Sequence, residues 1–197
     1  VATDGRGLYK MCHINSRYKS IHSTQIPDLT KPIRTFFTDS HNNLWIGTKG
    51  DGLIILNNYP TLPQEGQIPD YRITRYGKNP GTKGDLTTNQ IFAIKESVFK
   101  PGRIWLAGAG PGIAYTNSPT GEITNLVHPE IIDIHDFFEA SDSVLWLASS
   151  TRGLIKVVTD GNDRVLKTDT YIFRRDKHTC NEIYTLAYDG HNSLYIG

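Results

Sequence analysis

One Trp-centred segment recurs along this chain, and it limits the possible folds more tightly than anything else in the sequence. The first full copy reads Asp39-Ser40-His41-Asn42-Asn43-Leu44-Trp45-Ile46-Gly47-Thr48-Lys49-Gly50-Asp51-Gly52-Leu53. A second is Ile104-Trp105-Leu106-Ala107-Gly108 followed by Gly110-Pro111-Gly112-Ile113, and a third is Leu145-Trp146-Leu147-Ala148-Ser149 followed by Arg152-Gly153-Leu154. The sequence closes within another, Leu194-Tyr195-Ile196-Gly197, and opens within one, where Val1-Ala2-Thr3-Asp4-Gly5-Arg6-Gly7-Leu8 aligns with Ile46 to Leu53. All 3 tryptophans hold the same repeat position, and the anchors at 45, 105, 146 and 195 stand 60, 41 and 49 residues apart. Repeats of that length, built from short apolar runs and Gly turns, predict the four-stranded blades of a β-propeller.

Each repeat has the same grammar. Ile33–Thr38 is rich in β-branched and aromatic residues and predicts a strand. Asp39 to Asn43 carry turn chemistry, because Asp and Asn bond their own backbone and tolerate the left-handed region. Strands follow at Leu44–Gly47 and Leu53–Leu56, and the alternation of Tyr71–Tyr76 marks an outer, half-exposed strand. The next blade reads as Ile91–Ile94, Ile104–Ala107, Ile113–Tyr115 and Glu122–Leu126, and the one after as Ile134–Phe138, Val144–Leu147, Leu154–Val158 and Thr170–Phe173. Central strands that are apolar on both faces suit a sheet sandwiched between two neighbours. Gly7, Gly52, Gly112 and Gly153 share one repeat position, which points to a backbone φ above zero there. Helical periodicity is absent. The expectation is an all-β, partial β-propeller over 1–197, with blade pieces at about 1–32, 33–90, 91–133, 134–182 and 183–197, cut from a longer chain.

Bulk properties narrow the function classes. With 21 basic against 20 acidic residues, the chain has no charge footprint for nucleic acid or an anionic membrane. It contains no run of 18 apolar residues, as a spanning helix would need. The 2 cysteines, Cys12 and Cys180, make neither a disulfide framework nor a metal motif and read as packed thiols.

The pattern of a strand, then Asp-x-x-Asn-x-Leu-Trp-Ile-Gly-Thr, then Gly-x-Gly-Leu, resembles the two-component regulator propeller repeat. The lead-in Tyr76-Gly77-Lys78-Asn79-Pro80 with Asp85-Leu86-Thr87-Thr88-Asn89-Gln90-Ile91, and its partner Phe173-Arg174-Arg175-Asp176 with Asn181-Glu182-Ile183, resemble it too. The copy at Trp105 departs from the pattern, with Gly108 in place of Thr and Val98 to Gly102 inserted in the turn; the copy at Trp146 has Ser149 and Thr151. The resemblance implies the periplasmic sensor half of a hybrid two-component protein, with a histidine kinase elsewhere in the full protein. It further implies a non-catalytic region without a cofactor, beside a second propeller and in a homodimer, that recognises an oligosaccharide from polysaccharide breakdown.

Propeller sites form where loops converge around the axis. Alignment by the Trp anchor puts Arg34, Phe92, His135 and Tyr184 at one position, second in each innermost strand, while the residues before them are all isoleucine: Ile33, Ile91, Ile134 and Ile183. Aromatic faces suit pyranose C–H surfaces, and arginine can hold a carboxylate or sulfate with two hydrogen bonds. The rival reading is packing between blades. Lys49, Asp51, Arg152 and Arg6 line the loops between second and third strands, and of these Lys49 and Arg152 join the candidate ligand-binding set. Arg174, Arg175, Lys177 and His178 form a basic cluster that would attract an anionic glycan or simply be solvated.

Asp133, His135 and Asp136 resemble metal ligands, but only Asp133 and His135 share a strand face, too few for a closed site. Gly108 to Gly112 contain Gly-x-Gly between two strands rather than before a helix, so a dinucleotide site fails on context. Glu65 and Asp70 lie in a Pro/Gly-rich connection. Two other functions stay open: a scaffold for protein contacts, and a propeller lyase, for which His135 is the sole innermost-strand histidine.

Overall fold

The computed structural model describes residues 2–3, 7–11, 18–21, 26, 29–59, 72–78, 85–175 and 178–197, with backbone alone for those up to 21 and for 174–175 and 178–180. Cys12, Arg6, Glu65, Asp70, Tyr71 and Lys177 lie outside the described residues.

Strands β1 (Ala2–Thr3), β2 (Gly7–Met11) and β3 (Tyr18–Ile21) form an antiparallel sheet in sequence order. The first full blade is β4 (Ile33–Thr38), β5 (Leu44–Thr48), β6 (Leu53–Asn57) and β7 (Arg72–Tyr76). The second is β8 (Ile91–Glu96), β9 (Ile104–Gly108), β10 (Ile113–Thr116) and β11 (Thr124–Leu126). The third is β12 (Ile134–Ser141), β13 (Val144–Ser149), β14 (Gly153–Thr159) and β15 (Val165–Tyr171). Two hairpins follow, β16 (Phe173–Arg175) with β17 (His178–Cys180), and β18 (Leu186–Tyr188) with β19 (Leu194–Ile196). The first strands of successive blades stand side by side, β4 against β8, β8 against β12 and β12 against β18. They face the common axis, and β7, β11 and β15 form the outer edges.

Alternation along each second strand divides the core between the two blade interfaces. Trp45 joins Leu53, Ile55, Ile91, Ile104 and Leu106 in the seam between the first two full blades. Its neighbour Ile46 points the other way, to Ile26, Leu29, Ile54 and Leu56. Trp105 fills the next seam with Ile134, Phe137, Leu147 and Val157. Each such large side chain contributes about 1.5–3 kcal/mol by leaving water.

The third outer strand corrects the sequence reading. It runs over Val165–Tyr171 rather than starting at Thr170, and Val165 packs on the core. In the blade before it, the outer strand covers Thr124–Leu126 rather than Glu122–Leu126.

The Gly turns carry the blades' registration. Gly52, Gly112 and Gly153 have φ of +75°, +91° and +84°. A Cβ on them would stand 2.2, 2.6 and 2.5 Å from the carbonyl oxygens of Tyr76, Leu126 and Tyr171, so both conformation and space require glycine. The freed amides reach into the following blade: Gly52 N–H donates to Asn89 O, Gly112 N–H to Ile131 O, and Gly153 N–H to Asn181 O. Each turn thus ties one blade to the loop that enters the next. Ser149 replaces Thr48 in holding its turn, its Oγ accepting from Thr151 N–H and Arg152 N–H. Gly108 has no such hydroxyl because a Cβ there would sit 2.0 Å from Gln90 O.

Candidate functional site

Every innermost strand begins with an irregularity. The β4–β5 register shifts between Ile33 and Thr35, the β8–β9 register between Ile91 and Ala93, and the β12–β13 register between Ile134 and Asp136. The residues left over are Arg34, Phe92 and His135. At the fourth copy, Tyr184 N–H and Thr185 N–H both donate to Gly197 O, at 2.7 and 3.0 Å, which is the two-against-one pattern of a β-bulge. Ile33, Ile91, Ile134 and Ile183 before them are buried. The isoleucine anchors each strand in the core, and the bulge turns the next side chain out of the ladder.

Because the first strands are neighbours, the four extruded side chains meet. The Arg34 guanidinium carbon lies 5.7 Å from the Phe92 ring centroid, within cation–π range. Phe92 and His135 stack with centroids 4.2 Å apart and planes 15° apart. His135 meets Tyr184 edge to face at 4.8 Å and 81°. The structure therefore joins four sequence-predicted residues into one row running across four blades. Arg34 and Tyr184 are exposed at its ends, and the middle pair is half-buried.

Burial lowers the His135 pKa, the Arg34 charge lowers it further, and Asp133 partly opposes both. At neutral pH the ring is thus an uncharged donor and acceptor. Tyr184 Oη donates to Glu182 at 3.4 Å. The row runs from a cation to a carboxylate-backed hydroxyl.

Among the described residues, two other candidates make no ring or ion contact with these four side chains. Lys49 engages its backbone, donating to Pro32 O at 2.9 Å and bridging to Gln90, while Arg152 lies 3.8 Å from Glu130. Asp51 accepts from Thr30 N–H and Lys31 N–H, each at 2.7 Å, and so secures the loop entering β4. Asp133, His135 and Asp136 go separate ways. Asp133 accepts from Gly110 N–H at 2.8 Å, and Asp136 pairs with Lys95 Nζ at 2.6 Å and accepts from Leu186 N–H. Asp136 thus links the inner strands of three blades.

Sequence reasoning missed the polar seams between blades. Glu96 accepts from Ser40 N–H and Ser40 Oγ in the blade before, and Glu139 accepts from Ser97 Oγ, Val98 N–H and Trp105 Nε1. Both acids hold the sixth position of an innermost strand, which is the signal that was present. Arg103 makes a two-point contact to Asp163 at 2.8 and 2.9 Å, joined by Lys100 and by Tyr115 Oη. An apolar cleft of about 700 Å³ lies between β13–β14 and the β18–β19 hairpin, lined by Phe138, Trp146, Tyr188 and Leu194 among others. Its lining suits packing better than a polyhydroxylated ligand.

Residues 29–50 match the family pattern described as two component regulator propeller, so the chain carries a repeat of that family. Among solved structures, it is similar to an extracellular domain assigned to the hybrid two component system BT3049 of B. thetaiotaomicron, with a TM-score of 0.73 and 20% identity over 98% of this chain and 25% of that one. The extracellular domain of BT4673 from the same organism matches at TM-score 0.65 and 18% identity, over 92% of this chain and 25% of that one. PorZ, a surface component of the type-IX secretion system of Porphyromonas gingivalis, matches at 0.67 and 16%, over 98% and 28%. At these identities the likeness shows the fold, a run of propeller blades, and the chain spans about a quarter of the length of these structures. No curated protein matches the sequence.

Proposed function

We propose that the chain is part of the ligand-sensing propeller of a hybrid two-component signalling protein, on the periplasmic side of the inner membrane. Its ligand is an oligosaccharide from polysaccharide breakdown, and a histidine kinase in the same protein receives the signal. The repeat at residues 29–50 and the likeness to extracellular domains of two such systems support this placement. One observation carries the ligand reading: the four bulge residues Arg34, Phe92, His135 and Tyr184 form a continuous row at the axis, built from the position at which the repeats differ.

The mechanism is binding without turnover. A sugar that contacts the row touches several blades at once, so it favours one relative packing of the propellers in a homodimer and biases the kinase. It moves that equilibrium only as far as its affinities for the two states differ. Calorimetric titration of the intact protein with defined oligosaccharides tests this. Binding that weakens about tenfold or more in Tyr184→Ala places the ligand on the row, whereas silence across a broad panel with folded protein overturns the reading. A scaffold role is the second reading, favoured by the likeness to PorZ, a component of a secretion system. It predicts protein partners and no glycan.

A further inference from the structure

We infer that the axial row selects an acidic sugar, with Arg34 taking its oxyanion; this rests on the reading of the row as an oligosaccharide site.

Arg34 is presented rather than consumed. Its guanidinium carbon lies 5.7 Å from the Phe92 ring centroid, a cation–π contact that uses the charge and none of the five N–H donors. Among the described residues no carboxylate or carbonyl takes them up. Arg103 and Arg152, by contrast, face Asp163 and Glu130. The β4 bulge that projects Arg34 keeps it exposed at the end of the row.

The rest of the row gives the ligand a direction. At the far end Tyr184 Oη donates to Glu182, so negative charge gathers there and repels an anion. Between the ends His135 stacks by its face, and neither ring nitrogen has a hydrogen-bond partner among the described residues. The order is therefore exposed cation, neutral donor and acceptor, then carboxylate-backed hydroxyl. A sugar laid along it places its acid group at Arg34 and its hydroxyls at His135 and Tyr184. The carboxylate of a hexuronate offers two coplanar oxygens to two adjacent N–H groups, and a sulfate ester offers the same spacing. A neutral sugar leaves the guanidinium without a counter-charge, and an amino sugar is repelled by it.

The test uses the intact protein and matched disaccharides: a hexuronate-containing one, its neutral hexose counterpart, and the same hexose disaccharide bearing a sulfate ester. The wild type is expected to bind at least one acidic member about tenfold or more tightly than the neutral one. Arg34→Gln brings the members within about threefold of each other by weakening the acidic one alone, and Arg34→Lys keeps part of the preference because the charge stays and the fork is lost. Whichever of carboxylate and sulfate binds more tightly identifies the oxyanion. Equal affinity for acidic and neutral members in the wild type overturns the inference and leaves the sugar-site reading standing. A preference that survives Arg34→Gln overturns it by placing the anion elsewhere. Absence of binding by every member, with the protein folded, overturns both.

Discussion

The imidazole of His135 lies parallel to the ring of Phe92, with 4.2 Å between centroids and 15° between planes, although the two belong to different blades. This contact makes the ring's protonation a property of the seam. Arg34 and Phe92 face it from one side, Tyr184 with Glu182 from the other, and Asp133 lies near in its own loop.

The stack predicts a pH dependence of stability. The native ring gives up its proton more readily than a histidine in the unfolded chain, whose ordinary value is 6.5. The unfolded state therefore binds more protons in the window below 6.5, and stability falls as pH drops through it; above that value the ring is neutral in both states and the effect vanishes. Urea midpoints at several pH values should show this slope in the wild type and a shallower one in His135→Phe. Equal slopes would remove the linkage.

Gly110 and Gly112 permit a separation of backbone strain from steric exclusion. Both have positive φ, +88° and +91°. A Cβ at Gly110 meets nothing within 4 Å, whereas at Gly112 it meets Leu126 O at 2.6 Å. Gly110→Ala should cost about 1–2 kcal/mol for the left-handed conformation, and Gly112→Ala should cost at least about 1 kcal/mol more, because the outer strand must shift. Chemical denaturation of the two variants checks the order.

Blade grammar was legible because the repeat supplies it. Trp45, Trp105 and Trp146 fix the second strands, and the Gly turns fix the third. The position shared by Arg34, Phe92, His135 and Tyr184 was legible too, but their mutual contact was not, since it arises from bulges and from neighbouring strands in different repeats. Glu139 with Trp105, or Arg103 with Asp163, could not be paired from sequence because nothing local marks a partner in the next blade. The outer strand at Val165–Tyr171 was misplaced because the apolar run Tyr171-Ile172-Phe173 drew the boundary towards itself, yet these three side chains are exposed.

Asp163 should prove structurally costly to neutralise. Burial alone would push its carboxyl up, but hydrogen bonds from Arg103, Lys100 and Tyr115 hold it well below the usual carboxylate range. Arg103 is itself 8% exposed and stacks 3.8 Å from the Tyr115 centroid, so it has little solvent to turn to. Asp163→Asn keeps the side chain's shape at a position with φ of +61° while removing the charge. We expect a loss of about 3 kcal/mol, measured by urea denaturation at neutral pH. In the wild type the acid's contribution is complete above its ordinary value of 3.8 and is lost as pH falls through the lowered native value. An unaltered midpoint in the variant would show the pairing to be energetically idle.

Two tryptophans at one repeat position satisfy their indole N–H differently, and this sets up a rescue experiment. Trp45 Nε1 donates to Asp39 in its own blade at 2.8 Å, while Trp105 Nε1 donates to Glu139 of the next blade at 2.6 Å. Strand register makes Ser97 the counterpart of Asp39, since each follows the innermost strand whose residues pair with the tryptophan's strand. Glu139→Ala orphans a nearly buried indole N–H and also releases Ser97 and Val98 of the neighbouring blade, at an expected cost of about 2–3 kcal/mol. Ser97→Asp in that background supplies a carboxylate where Asp39 holds one and should recover about 1 kcal/mol. The same substitution with Glu139 present brings two carboxylates together and should destabilise. The double-mutant cycle thus has a sign as well as a size, and Trp fluorescence during urea unfolding reads it directly. Additive effects would show that the indole hydrogen bond does not couple the two positions.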